Sequence, residues 1–123
     1  MSNSNQRETH KIYYKSGKLK SEVSYVNGEP HFIWKEYYES GKLSYEEPYV
    51  NGEKHGSVKG YYENSELEYE VPLVNGKKHG IQKQYYKNGK IKKESRYKNG
   101  EILGTNKYDE NGIVFGHNEI SEV

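Results

Sequence analysis

The sequence predicts an all-β protein, an elongated single-layer antiparallel β-meander of tandem hairpin repeats. Three observations carry that prediction. Tyr-Tyr pairs stand at Tyr13/Tyr14, Tyr37/Tyr38, Tyr61/Tyr62 and Tyr85/Tyr86, each 24 residues after the last, and a fixed period of this kind marks a repeat architecture. Asn-Gly recurs with the same step at Asn27-Gly28, Asn51-Gly52, Asn75-Gly76 and Asn99-Gly100. Short Tyr- and Val-containing runs lie between these signals. Asn-Gly bounded by such runs is the strongest short hairpin signal, because both central residues of a type I′ turn need positive φ.

The first strand of a unit carries a lysine column (Lys11, Lys35, Lys59, Lys83 and Lys107) and ends in the Tyr-Tyr pair. A second turn follows at Ser16-Gly17, Ser40-Gly41 and Asn88-Gly89, with Asn64-Ser65 as the departure. The second strand opens at Leu19, Leu43, Leu67 or Ile91, holds Glu22, Glu46, Glu70 or Glu94, and closes at Tyr25, Tyr49, Leu73 or Tyr97. Pro48 and Pro72 fall inside that strand. A proline has no N–H to give a central ladder, so a bulge or strand break is expected there. A partial fifth unit with one residue dropped reaches Asn111-Gly112 and ends in Ile113, Val114 and Phe115, an apolar run suited to capping the last repeat. The expected bounds are a flexible tail over residues 1–10, a repeat domain over 11–116 and a C-terminal tail over 117–123.

A two-residue turn at Ser40-Gly41 sets a register in which Tyr38 faces Leu43, Glu36 faces Tyr45 and Lys35 faces Glu46. The same rule pairs Tyr14 with Leu19, Tyr62 with Leu67 and Tyr86 with Ile91 on one face. On the other it pairs Lys11 with Glu22, Lys59 with Glu70 and Lys83 with Glu94. Strand side chains alternate between faces. The chain therefore sorts into an aromatic packing face with Trp34, Tyr38, Tyr45, Tyr62, Tyr69 and Tyr86, and a solvated Lys/Glu face with Tyr37, Tyr61 and Tyr85.

Composition narrows the function classes. The chain has 19 Lys+Arg against 18 Asp+Glu, a net charge of +1, so no global field draws it to nucleic acid, which is not expected as a partner. With no Cys there is no disulfide, thiolate nucleophile or thiolate metal site. No apolar run approaches the roughly 20 residues of a membrane helix, and the start lacks a signal-peptide core. A cytoplasmic protein without a cofactor is the expectation.

Two polar columns resemble sites and are read as structural. His31, His55 and His79 recur every 24 residues, which sets them two strands apart, about 9–10 Å across a sheet. Zinc needs each ligand about 2 Å from one ion, so no metal is expected and the histidines belong to turns. The Glu column invites a paired-carboxylate reading, yet each Glu has a Lys opposite that keeps it ionised and unsuited to general acid work. No Ser lies in a Gly-x-Ser-x-Gly elbow. The chain is therefore expected not to be an enzyme.

Two surfaces remain. A single sheet bearing Trp34, Tyr38, Tyr45, Tyr62, Tyr69 and Tyr86 on one side has no second layer to cover it, and monomers rarely expose large apolar patches. A protein partner or self-association through this aromatic face is expected, and open edges add strand addition as a route. Lys90, Lys92, Arg96 and Lys98 share the outer face in the same alternation and form the candidate site for an anionic lipid or phosphate.

Tyr85-Tyr86-Lys87-Asn88-Gly89-Lys90-Ile91-Lys92-Lys93-Glu94, Tyr97-Lys98-Asn99-Gly100, and the linkers Asn51-Gly52-Glu53-Lys54-His55-Gly56 and Asn75-Gly76-Lys77-Lys78-His79-Gly80 resemble the MORN-repeat variant found in many bacterial proteins. The resemblance runs from about Lys11 to Gly112. It implies a single sheet of hairpins used for protein contacts and, in some members, proposed for phospholipid binding. Similar bacterial chains are often labelled antitoxins, so it implies an antitoxin-like interaction module. Others bear the name of phosphatidylinositol phosphate kinases through the repeat alone, and this chain has no Gly-rich phosphate loop to justify that name. The departures are Pro30-His31-Phe32 and Leu103-Gly104 where His-Gly is expected, and Asn64-Ser65.

Overall fold

A computed structural model of the protein describes residues 7–26 and 31–119. They form one open antiparallel sheet in which strand follows strand in chain order. The first two hairpins are β1 (Arg7–Tyr13) with β2 (Leu19–Val26), and β3 (His31–Tyr37) with β4 (Leu43–Val50). The next two each begin with a two-residue strand: β5 (Glu53–Lys54), β6 (Gly56–Tyr61) and β7 (Leu67–Val74), then β8 (Lys77–Lys78), β9 (Gly80–Tyr85) and β10 (Ile91–Lys98). The sheet closes with β11 (Glu101–Tyr108) and β12 (Val114–Glu119). Strand structure thus takes in Arg7–His10 and His117–Glu119, which the sequence reading leaves to tails.

The Asn-Gly turns have the backbone that hairpin logic requires. Asn51, Asn75 and Asn99 sit at φ 53, 50 and 49, and Gly52, Gly76 and Gly100 at φ 78, 79 and 89, so both central residues are left-handed as in a type I′ turn. Asn27-Gly28 lies outside the described residues.

The other turn corrects the predicted register. Tyr38 N–H donates to Lys42 O and Gly41 N–H to Tyr38 O, each at 2.9 Å, which makes a three-residue loop with only Gly41 left-handed (φ 92). Tyr37, not Tyr38, therefore faces Leu43. The same shift pairs Tyr13 with Leu19, Tyr61 with Leu67 and Tyr85 with Ile91. A bulge one step further on then restores the expected pairing. Lys20, Ser44, Glu68, Lys92 and Phe115 each stand as the extra residue, and beyond them Lys11 faces Glu22, Lys35 faces Glu46, Lys59 faces Glu70 and Lys83 faces Glu94. Two one-residue offsets cancel beyond the bulge, so Trp34 and Tyr45 separate from the Lys/Glu pairs as predicted, whereas Leu19, Leu43, Leu67 and Ile91 move from the aromatic face to the face of Tyr13, Tyr37, Tyr61 and Tyr85. Lys107 leaves its column and faces Lys93, while Asn106 faces Glu94.

At the prolines the structure places the irregularity on the neighbouring strand. β4 runs unbroken through Pro48, paired with Ile33, and β7 through Pro72, paired with Ser57. Opposite each proline the following strand is interrupted at His55 or His79, whose N–H groups donate to Pro48 O and Pro72 O at 3.1 Å. Gly56 (φ 92) and Gly80 (φ 107) then turn the chain back against the proline rings. Where the proline position holds Ser24 or Arg96, pairing continues as Ser24 with Ile33 and Arg96 with Gly104. The units that lack His-Gly are thus the ones that follow a strand without the proline. A missing donor and its compensating glycine travel together.

Neighbouring units are clipped by their tyrosines. The second hydroxyl of each pair donates forward to the next unit's main chain: Tyr14 to Tyr37 O (2.6 Å), Tyr38 to Tyr61 O, Tyr62 to Tyr85 O (2.6 Å) and Tyr86 to Tyr108 O (2.7 Å). The first hydroxyl reaches back to the Glu column, Tyr37 to Glu22 (2.6 Å), Tyr61 to Glu46 (2.9 Å) and Tyr108 to Glu94 (2.6 Å). Among the described residues the Lys/Glu cross-strand pairs do not close to ion-pair distance; Glu22, Glu46 and Glu94 accept tyrosine hydroxyls instead.

A single layer leaves little core. Among the described residues the buried apolar side chains are Val23, Val58 and Leu73. Ile113, Val114 and Phe115 do not form the expected cap: they are 62%, 53% and 67% exposed, because no further hairpin follows among the described residues to pack against them.

Candidate functional site

The predicted aromatic face exists, and its centre lies on β3 and β4. Cross-strand pairing sets Phe32 beside Tyr49, Trp34 beside Glu47 and Glu36 beside Tyr45, all on one side because strand side chains alternate. A ring ladder crosses the first four strands here. His10 meets Tyr25 edge-on at 5.6 Å, Tyr25 meets Phe32 at 5.1 Å, and Phe32 stacks on Tyr49 at 4.3 Å.

Two carboxylates sit among these rings, and sequence reasoning singled out neither. Trp34 Nε1 donates to Glu36 at 2.8 Å. The hydroxyls of Tyr45 and Tyr49 both donate to Glu47, which is only 8% exposed and has Lys54 Nζ at 3.4 Å. The signal was available, because Glu47 lies two residues from each tyrosine on one strand face. Trp34, Glu36, Tyr45, Glu47 and Tyr49 together line an open hollow. A second hollow follows on the same side, lined by Tyr62, Glu68, Tyr69, Gln84, Tyr85 and Lys92.

Of the six aromatic candidates, Trp34 and Tyr45 line the first hollow, and Tyr62 and Tyr69 the second. Tyr69 lies across Gly60 so closely that an added Cβ there would stand 2.2 Å from its Cε2. Tyr38, Tyr62 and Tyr86 spend their hydroxyls on the next unit. These three hold the repeat together as well as facing solvent.

The basic candidates do not form one surface. Lys92 is the bulged residue, and its Nζ stands 5.7 Å from the centre of the Tyr86 ring, beside Tyr69 and Gln84 on the aromatic side. Lys90 lies in the turn, while Arg96 and Lys98 remain in the alternation of the Glu94 face. The bulge that restores the register also turns Lys92 out of the cluster predicted for it. In the His column, His79 Nδ1 accepts from Asn99 N–H at 3.3 Å, a turn contact, whereas His31 opens β3 opposite Val50 and belongs to a strand rather than a turn. Among the described residues no group of three His, Cys, Asp or Glu stands close enough to hold a metal ion. No helix among them is long and apolar enough to cross a membrane.

Burial raises the pKa of several of these tyrosines. Tyr37 and Tyr61 are pushed from the ordinary 10.0 up to about 12, first by burial and then by their bonds to Glu22 and Glu46. Tyr49 is likewise pushed up to about 12 by burial and Glu47, and Tyr45 moves the same way for the same causes. A folded pKa above the unfolded one gives stability that is whole below pH 10 and is lost as pH rises through about 12. An alkaline absorbance titration should therefore show a late tyrosinate step near pH 12 that coincides with loss of the β-sheet circular dichroism. A single step near pH 10 with the sheet intact would refute it.

The chain matches the family described as MORN repeat variant at residues 9–27, 30–51, 54–75 and 78–99. A crystal structure of an S. aureus TarM mutant in complex with Fondaparinux, alpha-GlcNAc-glycerol and UDP is similar at 11% identity and a TM-score of 0.49. The match covers 77% of this chain and 21% of that one. No curated protein matches the sequence.

Proposed function

The chain belongs to the MORN repeat variant family, and from that premise we propose that it is a non-enzymatic protein-interaction module, antitoxin-like in the finer form of the reading, which docks a partner on its aromatic face. Repeats of this family are in general protein- or lipid-interaction modules. The observation that carries the protein reading is the hollow of Trp34, Tyr45 and Tyr49 around Glu36 and Glu47, which no second layer among the described residues covers. Half-buried Trp and Tyr with polar ends held in place are the usual anchors of protein interfaces. The lipid reading needs a joined basic surface, and Lys92 on the aromatic side divides it.

The test is capture of a partner by the immobilised chain from the cytoplasm of its host. Trp34→Ala should cut capture by tenfold or more, as hot-spot truncations worth about 2 kcal/mol do, while moving the melting temperature little. Tyr62→Ala is the less clean variant, because it also removes the bond to Tyr85 O. Equal capture by Trp34→Ala and the parent chain would overturn the aromatic-face reading.

A further inference from the structure

The chain repeats one strand-to-strand junction four times and then leaves half of it open. At each junction the second strand of one unit meets the first strand of the next. Glu22 faces Lys35, Glu46 faces Lys59 and Glu70 faces Lys83; at the fourth, Glu94 faces Asn106. The incoming first tyrosine donates to that carboxylate at three of the four junctions, through Tyr37, Tyr61 and Tyr108. Its main-chain oxygen accepts the hydroxyl of the preceding unit's second tyrosine at all four.

β1 presents the receiving half of that junction at the edge of the sheet. Lys11 and Tyr13 occupy the positions of Lys35 and Tyr37, and Ile12 and Tyr13 are 55% and 56% exposed. β12, at the opposite edge, does not present the matching half. His117 stands where Glu94 stands in the unit before, and Asp109 where Tyr86 stands. Asp109 Oδ1 instead accepts from Asn111 and Ile113 N–H within its own turn.

We propose that the outer edge of β1 receives an antiparallel strand of a different protein, which sets a carboxylate opposite Lys11 and within reach of the Tyr13 hydroxyl. This rests on the reading of the chain as a protein-interaction module and names the chemistry of its partner. The opposite edge of the sheet is a poor source of that strand. A second copy docking by β12 would offer His117 at the required position. Main-chain ladder bonds would give affinity and the Lys11–Tyr13 pair would set register, as in other strand additions.

Restoring the missing half on β12 makes the chain its own probe. The double variant Asp109→Tyr/His117→Glu should associate head to tail in sedimentation equilibrium at least about tenfold more tightly than the parent, the worth of one charge-assisted hydrogen bond. His117→Glu alone should give part of that gain and Asp109→Tyr/His117→Gln much less. Adding Lys11→Glu or Tyr13→Phe to the double variant should weaken it. The proposal fails if the folded double variant and His117→Glu both associate no more than the parent, if Gln serves as well as Glu, or if Lys11→Glu leaves association unchanged. It also fails if the parent already pairs this tightly through β12. No cellular partner enters this measurement, so a negative capture result with Trp34→Ala overturns the aromatic-face reading without touching this one.

Discussion

Glu47→Ala is expected to lower stability by about 3 kcal/mol, the low end for two hydrogen bonds to a charged group, and the melting temperature by about 10 °C. Tyr45 and Tyr49 both aim their hydroxyls at this carboxylate, so removing it strands two donors at once. The contact with Lys54 adds little, because the lysine side chain is 46% exposed and screened by water. Burial pushes the pKa of Glu47 up, but the two hydroxyls and then Lys54 outweigh it and hold the carboxyl below the ordinary 4.5. A depressed folded pKa gives stability that is present above the unfolded value and is lost as pH falls through the folded one. Glu47→Gln should therefore lose part of the parent's acid sensitivity below pH 4.5. Thermal melts across pH 3–7 check both variants, and parallel curves for Glu47→Gln and the parent would refute the assignment.

The second large effect is expected at Gly60. An added methyl must displace the Tyr69 ring, with Cζ at 2.4 Å as well as Cε2 at 2.2 Å, and overpacking of this kind costs about 1–3 kcal/mol. The backbone of Gly60 lies outside the left-handed region, so the penalty is steric. In a Tyr69→Ala background, Gly60→Ala should then be neutral or stabilising, since alanine restricts the unfolded chain more than glycine. Urea denaturation of the four chains closes the cycle. Additive losses would show that the ring does not set the cost.

The period, the turns and the division into two faces were legible because each rests on local chemistry repeated four times. Lys35 opposite Glu46 followed from counting outward from Ser40-Gly41, although the loop there is one residue longer than assumed. The count survived because Ser44 bulges to compensate, and nothing in a single unit announces that bulge. Lys92 was misplaced for the same reason. The acidic centre at Glu47 has no counterpart in the period, since Val23, Val71 and Ser95 hold its position in the other units. The clips from Tyr37 to Glu22 and from Tyr38 to Tyr61 O join residues 15 and 23 apart, a separation at which pattern reading has no geometry to work with.

The proline junctions give the sheet an uneven stiffness. Across β2 and β3 five residues of each strand pair without a break, whereas β4 pairs two residues with β5 and two with β6, and β7 two with β8 and two with β9, on either side of the interruption at His55 or His79. Bending is easiest where a ladder is interrupted. Curvature of the sheet should therefore change along two lines, at Pro48 and at Pro72, while the strands on either side of each line keep their register.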